Sequence, residues 1–268
     1  MPNALKPYWR RNVSQYKGFS NRCAPGTHEA AISMLQKRGL CRGSVLDLAA
    51  GTGALLARLR DSGMSDLNAI ELDTPVFRLP GVTPQAVDLN TEFSKSFTRR
   101  FGMVTAVEII EHLDSPRHFL RQIWQLLEPD GYLLVSTPNV AHWVGRIWFL
   151  LRGELRYFKE RDYHHQRHVS PINHTHMRLM LAEIGFRVID FRTAGSFYGP
   201  LKQAVTAPAA GLFRLLGGPL ATGDTTMYLC QRTTPDQNSP GRSSTVYTQR
   251  YHGDTRPAAG AVNIAARV

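Results

Sequence analysis

Residues 45–56 read Val-Leu-Asp-Leu-Ala-Ala-Gly-Thr-Gly-Ala-Leu-Leu, a short apolar run that passes through two glycines into the helically spaced ALLARLRDSG. The run predicts a buried strand, the glycines a tight turn, and the spacing a helix. A helix ending in a glycine stop (AAISMLQKRG) precedes this unit. Further strands are expected over 67–72, 83–90, 103–107, 132–136, 186–190 and 225–230. Between them, Ser115-Pro116 opens a helix that stops at Pro129-Asp130-Gly131. Asn173 or Thr175 starts another that stops at Gly185. Strands alternating with helices imply an α/β domain with a mostly parallel sheet.

In such a sheet, ligands bind at the carboxyl ends of strands, where the glycine turn falls. A nucleotide-like cofactor is the natural occupant. The turn is not the dinucleotide fingerprint, because Leu56 stands where the third glycine would be. The 67–72 strand carries Glu71 about twenty residues beyond the turn, where α/β sites place a carboxylate on ribose hydroxyls. Asp73 competes for that role, or caps the segment before Pro75.

The acid-bearing form, Asp47-x-Ala49-x-Gly51-x-Gly53, resembles the first motif of class I S-adenosylmethionine-dependent methyltransferases. Three later runs extend the resemblance: Glu108-x-x-Glu111-His112-Leu113, Leu127-x-Pro129-x-Gly131 and Ser136-Thr137-Pro138-Asn139. In that order they resemble a subset including ubiquinone-biosynthesis O-methyltransferases and small-RNA 3′-end 2′-O-methyltransferases, over roughly residues 40 to 190. The resemblance implies a seven-stranded, mostly parallel sheet with helices on both faces and the last strand antiparallel. It also implies S-adenosylmethionine as cofactor, held by Asp47, Ala49, Gly51, Gly53, Glu71 and Val107, with Asp88 at the adenine amino group.

On a helix, positions 108, 111 and 112 would share one face, bringing Glu108, Glu111 and His112 together beside the cofactor. Two adjacent carboxylates repel unless a proton or a cation lies between them, and a divalent metal is one solution. In the RNA-methylating family the same face is completed by a later histidine; His164, His165 and His168 stand at a comparable point, His168 best placed. His112 is the candidate general base, with His168 second, while a buried core role for His112 stays open. Against the RNA reading, this chain has His165-Gln166-Arg167-His168-Val169 where that family carries an H-x-H-x-F-x-W stretch. The expected reaction is therefore O-methylation of a small-molecule or lipid-like acceptor. A metal-dependent RNA 2′-O-methyltransferase and a catalytically silent binding subunit are the alternatives.

The net charge of +11 favours acidic partners: nucleic acid, phosphorylated metabolites or an anionic membrane surface. Residues 1–27 are expected to form a basic arm, whose Tyr8, Trp9, Tyr16 and Phe19 either dock on the domain or stack on bases. The domain itself is expected over 28–234, with substrate-side inserts near 140–170 and 199–220. The first insert, rich in aromatics and arginine, reads either as a lid helix or as a membrane-surface helix. Residues 235–268 lack periodicity and are expected to be disordered. Three scattered cysteines argue against a disulfide framework, and the absence of a signal-like or membrane-spanning run suggests a cytoplasmic protein.

Overall fold

The computed structural model describes residues 14–233. These begin with a small hairpin, β1 (Gln15–Tyr16) and β2 (Phe19–Ser20), followed by α1 (Thr27–Lys37). The glycine unit is β3 (Ser44–Leu48) and α2 (Ala54–Asp61), then β4 (Asp66–Ile70), β5 (Phe101–Ala106), α3 (Pro116–Leu126) and β6 (Leu127–Pro138). The insert forms α4 (Trp143–Arg152) and α5 (Glu160–Gln166). After it come α6 (His174–Ile184), β7 (Phe186–Ala194), α7 (Pro200–Gly217) and β8 (Thr225–Arg232).

Six strands pair in the order β4-β3-β5-β6-β8-β7. The β3–β4, β3–β5 and β5–β6 pairs are parallel, and β8 runs antiparallel to both its neighbours. Strand period explains the two cores. Leu46, Leu48, Val104 and Leu133 face the side packed by α3 and α6, whereas Val45, Met103 and Leu134 face the side packed by α1 and α2. Burial on both faces makes these strands read as apolar runs rather than as alternation.

The expected seventh strand, over 83–90, contracts to one parallel bridge between Ile70 and Gln85. The Glu71 N–H donates to the Gln85 carbonyl (3.1 Å) and the Gln85 N–H to the Ala69 carbonyl (2.9 Å). Pro84 beside it has no N–H to extend the ladder. The helix caps follow the sequence closely. The Ser115 hydroxyl accepts the His118 N–H at the start of α3, and Asn173 Oδ1 accepts the His176 N–H at the start of α6.

Part of the expected arm is docked: the Tyr16 hydroxyl donates to Asp61 (2.6 Å), Arg58 lies over its ring at 4.1 Å, and Lys17 pairs with Asp61 at 2.7 Å. The remainder, residues 1–13, and the expected tail over 235–268 lie outside the described residues. Among the described residues no helix is long and apolar enough to cross a membrane.

Gly53 caps α2 at φ 87°, and a Cβ there would stand 2.8 Å from Leu79 Cβ and 3.2–3.3 Å from the Phe77 ring. Gly53→Ala combines left-handed strain with overpacking, so a loss of roughly 2–4 kcal/mol is expected. Thermal unfolding should fall by about 5–10 °C; an unchanged midpoint would mean that the turn and Leu79 relax freely.

Candidate active site

The carboxyl ends of β3 and β5 lie side by side, and each is followed by a non-glycine residue in the left-handed region, Ala49 (φ 56°) and Glu108 (φ 53°). Such strain, of about 1–3 kcal/mol each, persists where the surroundings enforce it and concentrates at functional sites. Both residues line a cavity of about 1270 Å³, whose wall also includes Asp47, Gly51, Glu71 and Val107. With Glu111, His112 and His168, which line the same cavity, nine of the eleven sequence-predicted site residues share it.

Glu71 organises it. Its Oε2 accepts the Gly51 N–H at 2.7 Å and its Oε1 accepts the Asp73 N–H at 3.0 Å, which pins the glycine turn to the end of β4. Asp47 is 3% exposed, and its Oδ1 accepts the Thr105 hydroxyl at 2.6 Å. Burial raises the Asp47 carboxyl to about 7, assisted by the neighbouring Glu71 and opposed by Thr105. Two expected members stand elsewhere. Gly53 serves the packing described above and is absent from the wall. Asp88 is also absent from it: it is exposed, and its carboxylate accepts the Asn90 N–H (2.9 Å) in a local turn.

The second half of the wall departs from the expected helix. Only a 3₁₀ turn forms, over Ile110–His112, and the positive φ of Glu108 removes it from any helical face shared with Glu111 and His112. Glu108 turns to β6, where its Oε1 accepts the Ser136 hydroxyl (2.9 Å) and its N–H donates to the Ser136 oxygen (3.1 Å). Glu111 points inward, 1% exposed, with Oε2 lacking a hydrogen-bond partner.

His168 reaches this turn through the backbone. The N–H groups of Val169 and Ser170 both donate to the Glu111 carbonyl at 3.0 Å, and the Ser170 hydroxyl donates to the Leu113 carbonyl at 2.6 Å. The His112 and His168 rings meet edge to face, centroids 4.8 Å apart. One potential ligand atom from each of Glu111, His112 and His168 lies within 4.8 Å of the others. His168 Nδ1 is 2.7 Å from the Tyr157 carbonyl, which only accepts, so Nδ1 carries the proton and Nε2 keeps its lone pair. Glu108, expected as a fourth ligand, lies outside this cluster.

Burial sets the charge states. It lowers His112 to about 4, with the nearby His168 adding to the effect, and it also lowers His168, so both rings are neutral at pH 7. Burial raises Glu108 to about 7 and Glu111 well above the ordinary carboxylate range, the Glu108 charge pushing Glu111 further. A carboxyl whose folded pKa lies above its unfolded value supports folding at low pH, and that support is lost as pH rises through the folded value. Glu111→Gln removes the buried charge, so its melting temperature should exceed the wild type's by a margin that grows from pH 5 to pH 8. A margin independent of pH would place the carboxyl in an ordinary environment.

Other wall residues carry no local signal. Asp224, 2% exposed, pairs with Arg156 at 2.9 Å and accepts the Phe197 N–H at 2.7 Å. Asn139, which ends the Ser-Thr-Pro-Asn run, is structural: its side-chain amide donates to the carbonyls of Leu220 (2.9 Å) and Gly223 (2.8 Å), and its N–H to that of Asp224 (2.8 Å). Tyr157, Phe197 and Tyr198 give the wall its aromatic face, and Lys159 and Lys202 add cations. His28 joins them buried, lowered to about 3 by desolvation and then by Arg58.

Comparison with known proteins agrees with this geometry. Residues 13–190 match the family model of a methyltransferase domain. Over 131 residues the chain is 28% identical to a ubiquinone biosynthesis O-methyltransferase of Proteus mirabilis, covering 45% of this chain and 51% of that one. Over 182 residues it is 29% identical to the mitochondrial ubiquinone biosynthesis O-methyltransferase of Candida albicans, covering 63% and 52%. The chain thus spans about half the length of these curated relatives. Its fold matches a SAM dependent methyltransferase from Archaeoglobus fulgidus with a TM-score of 0.51 at 16% identity, over 77% of this chain and 95% of that one. The glycine turn pinned by Glu71, the strained strand ends and the match over residues 13–190 lead to one conclusion: the chain belongs to the methyltransferase domain family.

Proposed function

We propose that this chain is an S-adenosylmethionine-dependent methyltransferase that acts on a hydroxyl oxygen of a small-molecule or lipid-like acceptor. The reading is carried by the two neutral histidines at the cavity wall, one of them locked by Tyr157 in the tautomer that leaves a lone pair free. The names of the O-methyltransferase relatives support it.

The wall suits the cofactor. A cavity of about 1270 Å³ exceeds the ordinary ligand pocket, and Glu71 and Asp47 supply acceptors beside a backbone turn. Bound there, S-adenosylmethionine supplies a methyl group already activated by its sulfonium sulfur. Glu71 and the 49–53 turn hold the donor, and the aromatic face orients the acceptor. His112 takes the hydroxyl proton as the oxygen is alkylated, with His168 as second base. As the oxygen gains the methyl carbon, the methyl–sulfur bond would break and its electron pair leave on sulfur as a neutral thioether; the hydroxyl becomes more acidic meanwhile, so a weak neutral imidazole suffices. Incubation with methyl-labelled S-adenosylmethionine and catechol, alone or bearing a long alkyl chain, should yield an O-methyl ether. Labelling confined to amines or carbon would overturn the reading.

The Glu111, His112 and His168 cluster supports a second reading, in which these residues hold a divalent cation. Two imidazole nitrogens and a carboxylate oxygen suit iron or zinc better than magnesium or manganese, and Glu111 Oε2 is buried without a partner. A cation there would lower the pKa of an acceptor hydroxyl, a ribose 2′-hydroxyl included. Under this reading EDTA abolishes methylation and added metal restores it; under the base reading the rate after EDTA stays within about twofold.

A further inference from the structure

Helices α4 and α7 bury almost nothing. In α4 only Gly145 is buried, and no residue of α7 whose side chain is described is buried. Helices normally owe their stability to an apolar face packed against a core. Here that face looks outward. On α7, Leu201, Val205, Leu212, Leu215 and Leu216 are all exposed, and at 100° per residue they fall within a stripe about 100° wide. On α4, Phe149, Leu150 and Leu151 are exposed as well. Leu150 is 84% and Leu215 83% exposed, values that a closed lid would not leave. The helices touch through Trp143 and Phe213, ring centroids 5.6 Å apart. Neither helix contains an acidic residue, while together they carry Arg146, Arg152, Lys202 and Arg214. Glu154 follows α4 and accepts the Trp148 indole N–H at 3.0 Å, and Lys159 lies over the same indole at 3.7 Å.

We propose that the α4–α7 face docks on an anionic lipid bilayer. Leucine and aromatic side chains beside arginine and lysine, without acids, are the chemistry of a helix lying in the interface plane. The cations match anionic headgroups, each adding to attraction near the surface. A protein partner would also cover apolar residues, but nothing on this face supplies the mixed charges that fix a protein interface in register. The site gives the docking a purpose. Arg156, Tyr157 and Lys159, just beyond α4, and Tyr198 and Lys202, around the start of α7, line the cavity. Docking therefore sets the membrane beside this part of the cavity lining, where a lipid-soluble acceptor would be at hand. The proposal does not depend on which atom of the acceptor is methylated.

Sedimentation of the full chain with vesicles tests it. Phosphatidylcholine vesicles containing 30% phosphatidylglycerol should carry down at least ten times the fraction carried by phosphatidylcholine alone, and raised salt should reduce it. L150E/L151E and L215E/L216E should each lower binding at least tenfold. Both pairs lie outside the cavity wall, so S-adenosylmethionine should still raise their melting temperatures as it does the wild type's. Three results would overturn the proposal. The first is wild-type protein that stays in the supernatant with both lipids. The second is variants that sediment like wild type, which would assign binding to the basic residues near the N-terminus. The third is a wild-type dimer that L215E/L216E dissociates, which would make the face a contact between copies.

Discussion

Replacing His112 by alanine is expected to lower kcat at least 100-fold while leaving the Kd for S-adenosylmethionine within about threefold of wild type. Positioned general bases contribute about 10²- to 10⁴-fold, and His112 lies on the wall opposite in role to the turn that Glu71 holds. The ring's charge state suits the proposed role as well as its place does. Burial and the adjacent His168 bring it to about 4, so it is free to accept a proton throughout the neutral range. The wild-type kcat should therefore show no loss on acidification from pH 8 to pH 6. His168→Ala should reduce the rate less, because His112 remains, and His112→Gln should behave like the alanine variant. If His112→Ala keeps more than a third of the wild-type kcat, the imidazole is a wall residue only.

Glu71→Ala should weaken S-adenosylmethionine binding by about 100-fold or more, read by calorimetry. Two losses combine. The carboxylate leaves the wall, where the proposal has it accept from cofactor hydroxyls, and the Gly51 and Asp73 N–H groups lose the acceptor that fixes the turn. Charge-assisted bonds are worth about 1.5–3 kcal/mol each, so losing two accounts for an effect of this size. Glu71→Gln keeps an acceptor oxygen and should fall between wild type and alanine. A Kd within fivefold of wild type for Glu71→Ala would place the cofactor's hydroxyls elsewhere.

The strand, turn and helix around Gly51 were legible because their signals are local: buried apolar strands, a cap requiring a positive φ, and an acid one strand away. The face built from Glu108, Glu111 and His112 was half legible. Its residues were found, but helical spacing was the wrong geometry, because Glu108 adopts a left-handed φ and turns to Ser136 on the neighbouring strand. His168 was suggested only by resemblance; what joins it to Glu111 is a pair of backbone hydrogen bonds bridging 58 and 59 positions, which no residue pattern announces. The Asp224–Arg156 pair was missed for the same reason. Asp88 stands at the end of a short apolar run whose expected strand reduces to one bridge, so its position was less legible than that of Glu71. The exposure of α7 was equally hidden, since an apolar helix reads alike whether its stripe meets a core or faces outward.

The central claim is that one cavity holds the methyl donor through Glu71 and removes the acceptor's proton through His112. Its most direct test is the single-turnover methylation rate of wild type, Glu71→Ala and His112→Ala on the better of the two catechol acceptors, as donor concentration is raised to saturation. The account predicts that Glu71→Ala recovers to within about threefold of the wild-type rate at saturating donor, whereas His112→Ala stays at least 100-fold slow at every concentration. Recovery of His112→Ala at saturation, or a Glu71→Ala defect that no donor concentration relieves, would contradict it.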